Sequence, residues 1–184
     1  MTAFIDYKSP EKDILLNVLN EYPLMDSLNI SSIIENMIYE EVEEYYDNGS
    51  LKSKYTLRFG LKEGMYQEWF DNGKKMVECY YRDGKYDESY KHWWENGDKF
   101  LECNYRDGKR EGVCTSWLNK VKWVECGYLN GKYEGLYQEW WRNGQKYLEC
   151  HYRDGQRNGL YQLWDDDGEK IEECVYRDGI QFKN

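Results

Sequence analysis

Residues 135–158 read GLYQEWWRNGQKYLECHYRDGQRN, and this stretch decides the fold. It holds two hairpin signals, Asn143-Gly144 and Asp154-Gly155, the dipeptides that a type I′ turn prefers because both central residues take positive φ. The segments between them are rich in Tyr, Trp, Leu and Cys and contain no proline, so they read as strands. The stretch recurs. Five units occupy 64–87, 88–111, 112–134, 135–158 and 159–182, and the third is one residue short, with Asn119-Lys120 where the others have a turn ending in Gly. Every unit carries a Trp (Trp69, Trp93, Trp117, Trp140, Trp164), a Glu-Cys pair, and a Tyr two residues after the Cys. Residues 40–63 are a degenerate first repeat, with Tyr45-Tyr46-Asp47-Asn48-Gly49 aligned on Trp69-Phe70-Asp71-Asn72-Gly73. A fixed period of this length is the mark of a repeat array whose units stack on their neighbours.

Two-residue turns fix register, and register fixes faces. Counting outward from Asn72-Gly73 sets Trp69 opposite Met76 and Tyr66 opposite Cys79. Counting from Asp83-Gly84 sets Tyr81 opposite Tyr86 and Cys79 opposite Glu88. One face then carries Tyr66, Val77, Cys79, Tyr81 and the unit-starting Gly, and the other carries Trp69, Met76, Glu78 and Arg82. The expected fold is mainly β: a single-layer antiparallel meander of stacked hairpins, preceded by a short α-helical N-terminal segment.

On the second face the five repeated Trp residues alternate with Met76, Phe100, Trp123, Tyr147 and Ile171 as an apolar stripe. Exposed aromatic stripes rimmed by charge mark interaction surfaces; the same rings can also serve as the core of a curved sheet. The candidate partner-binding residues are Trp69, Trp93, Trp117, Trp123, Trp140, Tyr147 and Trp164, with Trp117, Trp123 and Trp140 the densest group.

The cysteines Cys79, Cys103, Cys126, Cys150 and Cys174 follow the repeat period. With strands about 4.8 Å apart, equivalent cysteines lie roughly 9–10 Å apart, beyond the Cα separation of about 7 Å that a disulfide tolerates. All six cysteines are therefore expected to be reduced, acting as small apolar fillers between Tyr rings. Chemistry is hard to build from this chain. His92 and His151 stand at non-equivalent positions, and the Glu ladder (Glu78, Glu102, Glu125, Glu149, Glu173) suits pairing with Lys and Gln on its own face. Asp165-Asp166-Asp167 reads as a solvated turn. No enzyme activity, metal or cofactor is expected.

Lys+Arg 25 against Asp+Glu 35 gives a net charge of −10. This argues against nucleic acid and anionic lipid surfaces, which take clustered positive charge. The N-terminus lacks the basic and apolar regions of a signal peptide, so an intracellular, cytoplasmic protein is expected.

The pattern G-x-Y-x-x-W-x-x-N-G-x-x-x-x-E-x-x-Y-x-x-G resembles the MORN repeat, above all the variant type of bacterial YwqK-like antitoxins and of giant-virus arrays. The resemblance covers 64–184 well and 40–63 weakly. It implies a one-layer sheet of stacked hairpins and a binding or scaffolding role; for a viral member that means host cytoplasm or the virion.

Residues 1–39 have another period. Ser9-Pro10-Glu11 is a helix start and Pro23 a stop, and Leu28 to Ile38 repeat the helical pattern. The segment reads as a helical cap over the exposed first strand. It also resembles the start of an F-box, which docks onto the Skp adaptor of ubiquitin ligases, through Pro10, Glu11, Ile14, Leu15, Val18, Leu19, Pro23, Leu24 and Leu28; the usual third helix is missing. Three roles follow: a scaffold that binds a protein partner or itself, an F-box-like adaptor recruiting substrates, and an antitoxin-like neutraliser of a basic partner.

Overall fold

The computed structural model describes residues 38–182 and, upstream, only the helical Asn17 and Asn20. The docking residues Pro10, Ile14, Leu15, Val18, Leu19, Pro23, Leu24 and Leu28 lie outside the described residues. Fourteen strands form one antiparallel sheet in near-sequential order, with no second layer among the described residues. The first hairpin is β1 (Tyr39–Tyr45) and β2 (Leu51–Arg58), and β3 (Leu61–Trp69) and β4 (Lys75–Arg82) begin the regular array. Next come β5 (Lys85–Trp93), β6 (Lys99–Arg106), the short β7 (Lys109–Arg110), β8 (Gly112–Leu118) and β9 (Val121–Leu129). The array ends with β10 (Lys132–Trp140), β11 (Lys146–Arg153), β12 (Gln156–Trp164), β13 (Lys170–Arg177) and β14 (Ile180–Phe182).

The turns at Asp83-Gly84, Asp107-Gly108, Asn130-Gly131, Asp154-Gly155 and Asp178-Gly179 are two-residue I′ turns, with Asp83 at φ 48 and Gly84 at φ 74. The turns that follow the Trp strands, at Asn72-Gly73, Asn96-Gly97, Asn143-Gly144 and Asp167-Gly168, are different. Phe70 N–H donates to the Lys74 carbonyl and Gly73 N–H to the Phe70 carbonyl, so a longer loop replaces the I′ turn, and only Gly73 takes positive φ. The ladder shifts beside it: Glu68 pairs Val77, but Trp69 pairs Lys75 and not Met76. A bulge of this kind turns one residue off its alternation. Phe100 accordingly stacks on His92 and Trp94, and Tyr147 packs against the cluster around Cys150. The expected pairing of each Trp with the Met76-type residue is thus not made.

A second correction falls at the unit starts. Cys79 faces Tyr90, not Glu88, because residues 88 and 89 are left out of the ladder between Cys79↔Tyr90 and Tyr80↔Asp87. The unit-starting residue sits in this irregularity at positive φ, which is why it is Gly in four units; Glu88 takes the same conformation at φ 59.

The core lies on the Tyr–Cys face. Cys79, Cys103, Cys126, Cys150 and Cys174 are buried, and Tyr rings close over them. Ring centroids lie 4.7 Å apart for Tyr81–Tyr86, 5.2 Å for Tyr86–Tyr105 and 5.1 Å for Tyr133–Tyr152. Each such pair contributes about 0.5–1.5 kcal/mol beyond its buried area. The layer lapses in the third unit, where Cys114 stands at the position of Tyr66, Tyr90, Tyr137 and Tyr161. Arg110 bridges the gap, its guanidinium 3.3 Å from the Tyr105 hydroxyl and 2.9 Å from that of Tyr128.

The expectation of six free thiols is overturned at this place: Cys103 and Cys114 form a disulfide, their Cα atoms 4.3 Å apart. Cysteines one full unit apart remain unbridged, as spacing requires. Cys114 is not one of them. It lies half a unit away, on the neighbouring strand, and within reach.

Candidate functional site

The opposite face is built from three rows. Register places Gln67 against Glu78, Gln138 against Glu149 and Gln162 against Glu173. The amides donate to these carboxylates at 3.1, 2.8 and 2.8 Å. In each unit the Lys three residues before the Glu completes the group: Lys75–Glu78 at 2.5 Å, Lys99–Glu102 at 2.8 Å, Lys122–Glu125 at 2.7 Å, and likewise Lys146–Glu149 and Lys170–Glu173. Lys75 and Gln67 hold the Glu78 carboxyl below its ordinary range, and Lys146 and Gln138 do so for Glu149. The Glu ladder is therefore paired along its own face, and its carboxylates are already committed.

Those lysines also define the Trp row. Lys99 Nζ lies 5.0 Å from the Trp117 ring centroid, Lys122 5.0 Å from Trp140, and Lys146 5.8 Å from Trp164. These three rings are each capped by a cation from the unit before, a contact of about 0.5–1 kcal/mol at partly exposed sites. Trp69, Trp93, Trp117, Trp140 and Trp164 are all half-buried. Two neighbouring rings are not: Trp123 is 47% exposed and Trp94 40%.

Trp123 and Trp140 line one shallow depression of about 280 Å³ with Leu118, Val121 and Trp141. Of the predicted partner-binding residues, the structure brings these two together there. Trp69, Trp93, Trp117 and Trp164 continue the row, and Tyr147 leaves it to stack at 4.5 Å on Trp141. The third row was missed by sequence reasoning. Met65, Val113, Leu136 and Leu160 are exposed aliphatics on the residue after the unit start, register partners of Tyr80, Gly127, His151 and Val175. Their recurrence immediately after the unit-start Gly could have found them.

Catalytic arrangement is not evident in the polar groups. Burial lowers His92, whose ring lies 5.2 Å from Phe100. Asp165 Oδ1 accepts the amides of Asp167 and Glu169, closing its own turn. No cluster of three His, Cys, Asp or Glu suited to a metal occurs among the described residues.

A one-layer meander of hairpin units with patterned faces defines the class of repeat-array proteins. The family described as MORN repeat variant matches residues 41–58, 62–85 and 133–154, and the chain carries MORN repeats in these three segments. No curated protein matches it. Among solved structures it is similar to S. aureus TarM in complex with Fondaparinux, alpha-GlcNAc-glycerol and UDP, at 8% identity and TM-score 0.26, over 95% of this chain and 27% of that one. A second TarM crystal structure gives 9% identity and TM-score 0.25, over 98% and 29%. The chain spans less than a third of either TarM chain, and likeness at this level carries no argument about fold or activity.

Proposed function

We propose that the protein is a non-catalytic scaffolding module that binds a protein partner, or a second copy of itself, through its Trp face in the third and fourth units. The observation that carries this reading is the exposed Trp123 beside Trp140, Trp141, Leu118 and Val121, flanked by the charged Lys and Arg142 side chains. Water-excluding aromatic clusters near the middle of a surface supply most of an interface's energy. Trp117 and Trp164, capped by Lys99 and Lys146, flank that contact. The family supports a non-catalytic scaffold, since MORN repeats are generally found in protein-binding or membrane-associated scaffolds.

Trp123→Ser tests it. Sedimentation velocity on the full chain reports self-association, and quantitative affinity capture reports partners. The substitution is expected to weaken the association by about 2 kcal/mol, roughly thirtyfold, with a smaller loss of thermal stability than Tyr128→Ser, which opens the Tyr layer. A Trp123→Ser protein that associates as before but melts far earlier makes the ring a core residue and removes the proposed surface.

A further inference from the structure

We propose that Cys103, Cys114 and Cys126 form a reversible thiol-oxidation site in which Cys114 can be joined to either neighbour. Three observations meet there. Cys114 is the only one of the six cysteines outside the 24-residue ladder, and it replaces the Tyr of the other four units. Register puts it between two cysteines: Glu102↔Thr115 continues to Cys103 beside Cys114, and Cys114↔Cys126 is a direct pair. Antiparallel partners have Cα atoms about 4.5 or 5.5 Å apart, and both distances admit a disulfide. Cys103–Cys114 is bonded, and the free Cys126 thiol points at the Cys114 carbonyl at 3.8 Å. The lost ring leaves an opening of about 170 Å³ lined by Cys114, Cys126, Arg110, Tyr128, Tyr133 and Tyr137, a path by which a small thiol or disulfide reaches the sulfurs.

The chemistry balances with a low-molecular-weight disulfide as oxidant. The two thiols of Cys103 and Cys114 lose two protons and two electrons and become one S–S bond, and the oxidant is cleaved to two thiols. Exchange needs no oxidant. The Cys126 thiolate attacks Cys114 Sγ, the Cys103–Cys114 bond breaks, and Cys103 leaves as a thiolate that takes up the proton Cys126 gave away. The site sits where the pairing of the array is interrupted. β6 pairs with β8 through Leu101↔Ser116 and Glu102↔Thr115 and with β7 through Tyr105↔Arg110 and Arg106↔Lys109, and Cys103 and Cys114 lie between the two stretches. Oxidation to Cys103–Cys114 ties the two halves of the sheet across that interruption, and exchange to Cys126 releases it.

The test equilibrates the full chain in mixtures of reduced and oxidised glutathione, alkylates the remaining thiols, and digests with trypsin. Trypsin separates the three cysteines onto residues 100–106, 111–120 and 123–132. The expected oxidised product links 100–106 to 111–120 and leaves four alkylated cysteines, and reducing it lowers Tm by roughly 5–10 °C. Cys103→Ser should move the link to 111–120 and 123–132. Cys114→Tyr, which restores the residue of the other units, should abolish both links and make Tm indifferent to reductant. Six alkylated cysteines in fully oxidised glutathione, or glutathione capping Cys114 without an internal link, overturns the site. Five free thiols in Cys103→Ser overturns the two-way role of Cys114.

Discussion

The third unit (112–134) and the fourth (135–158) solve the same folding problem with different residues. The fourth has the long Asn143-Gly144 loop, the Tyr137–Tyr152 pair packed on Tyr133 of the unit before, and Cys150 sealed beneath them. The third lacks one residue, and its loop contracts to a two-residue turn, Asn119-Lys120, with both residues left-handed at φ 52 and φ 68. Trp117 still pairs with Lys122, and Ser116 with Val124, so the bulge beside the Trp survives the shorter loop. A unit can therefore exchange one turn for another and keep the frame, because the next unit reads only the strand that follows. Side chains are less forgiving. With Cys114 in place of a Tyr, the aromatic layer is interrupted, and an Arg and a disulfide occupy the interruption.

The broadest way to break the comparison is alkali. Burial pushes the Cys79 thiol and the Tyr90 hydroxyl up to about 12 and the Cys150 thiol up to about 11, and it raises Tyr66, Tyr81, Tyr128 and Tyr137 as well. These groups are neutral when protonated, and the fold holds them so. In the unfolded chain they ionise near about 8.5 for Cys and about 10 for Tyr. The stabilisation is thus complete below about pH 8.5 and is lost as pH rises towards 11–12. Thermal melts should be flat from neutral pH to about 8.5 and then fall steeply, the largest effect expected of any single change. Cys114→Tyr, by filling the layer, should steepen the fall; a slope no steeper than that of the parent chain would show that the third unit's gap costs the layer nothing.

Next in size is Gly127, which stands where the other units have Tyr80, Asn104, His151 and Val175. A Cβ there would meet the Glu134 carbonyl oxygen at 2.2 Å, a backbone atom that cannot swing aside. Gly127→Ala is expected to cost about 2–4 kcal/mol, and His151→Ala at the equivalent place less than about 1 kcal/mol, as read from urea melts. Equal costs would mean that β9 and β10 do not approach more closely than β11 and β12.

How much of this was legible follows from the same particulars. The 24-residue period, the strands, the single sheet and the turn at Asp83-Gly84 were readable because each follows from local sequence: Asp-Gly is a pair that the I′ turn prefers, although Asp167-Gly168 closes the longer loop. Asn72-Gly73 was misread because an Asn before a left-handed Gly serves a longer loop equally well. There the Asn72 side chain accepts the Lys74 amide at 3.0 Å, a choice that the pairing of Phe70 with Lys74 settles. One such shift was enough to move Tyr147 and Phe100 off the Trp row. The acid before three of the unit starts was also unreadable as a device: Glu63, Glu111 and Glu134 accept the amides of Asp83, Asn130 and Asp154 in the next turn, about 20 residues on. Cys114 escaped for another reason. Aligning units on the Glu-Cys pair treats it as a substituted Tyr, and only register shows it beside Cys103.

The smallest effect sharpens the comparison of turns. Lys120 occupies the second turn position, filled by Gly in every Asp-Gly and Asn-Gly I′ turn of the array, and a residue with a Cβ pays about 1–2 kcal/mol for the left-handed region. Against that, its ammonium lies 3.4 Å from Asp98 Oδ1, but the Lys side chain is 76% exposed. An exposed pair of this kind is worth about 0–1 kcal/mol, and Gly adds chain entropy to the unfolded state, which offsets part of the relief. The strain is the larger of the opposing effects. Lys120→Gly is therefore expected to raise stability by about 0.5 kcal/mol, a Tm gain of roughly 1–2 °C. Lys120→Ala, which loses the ion pair and keeps the strain, should lower it slightly. Two variants shifting together, in either direction, would show that the Asp98 contact and not the backbone governs this turn.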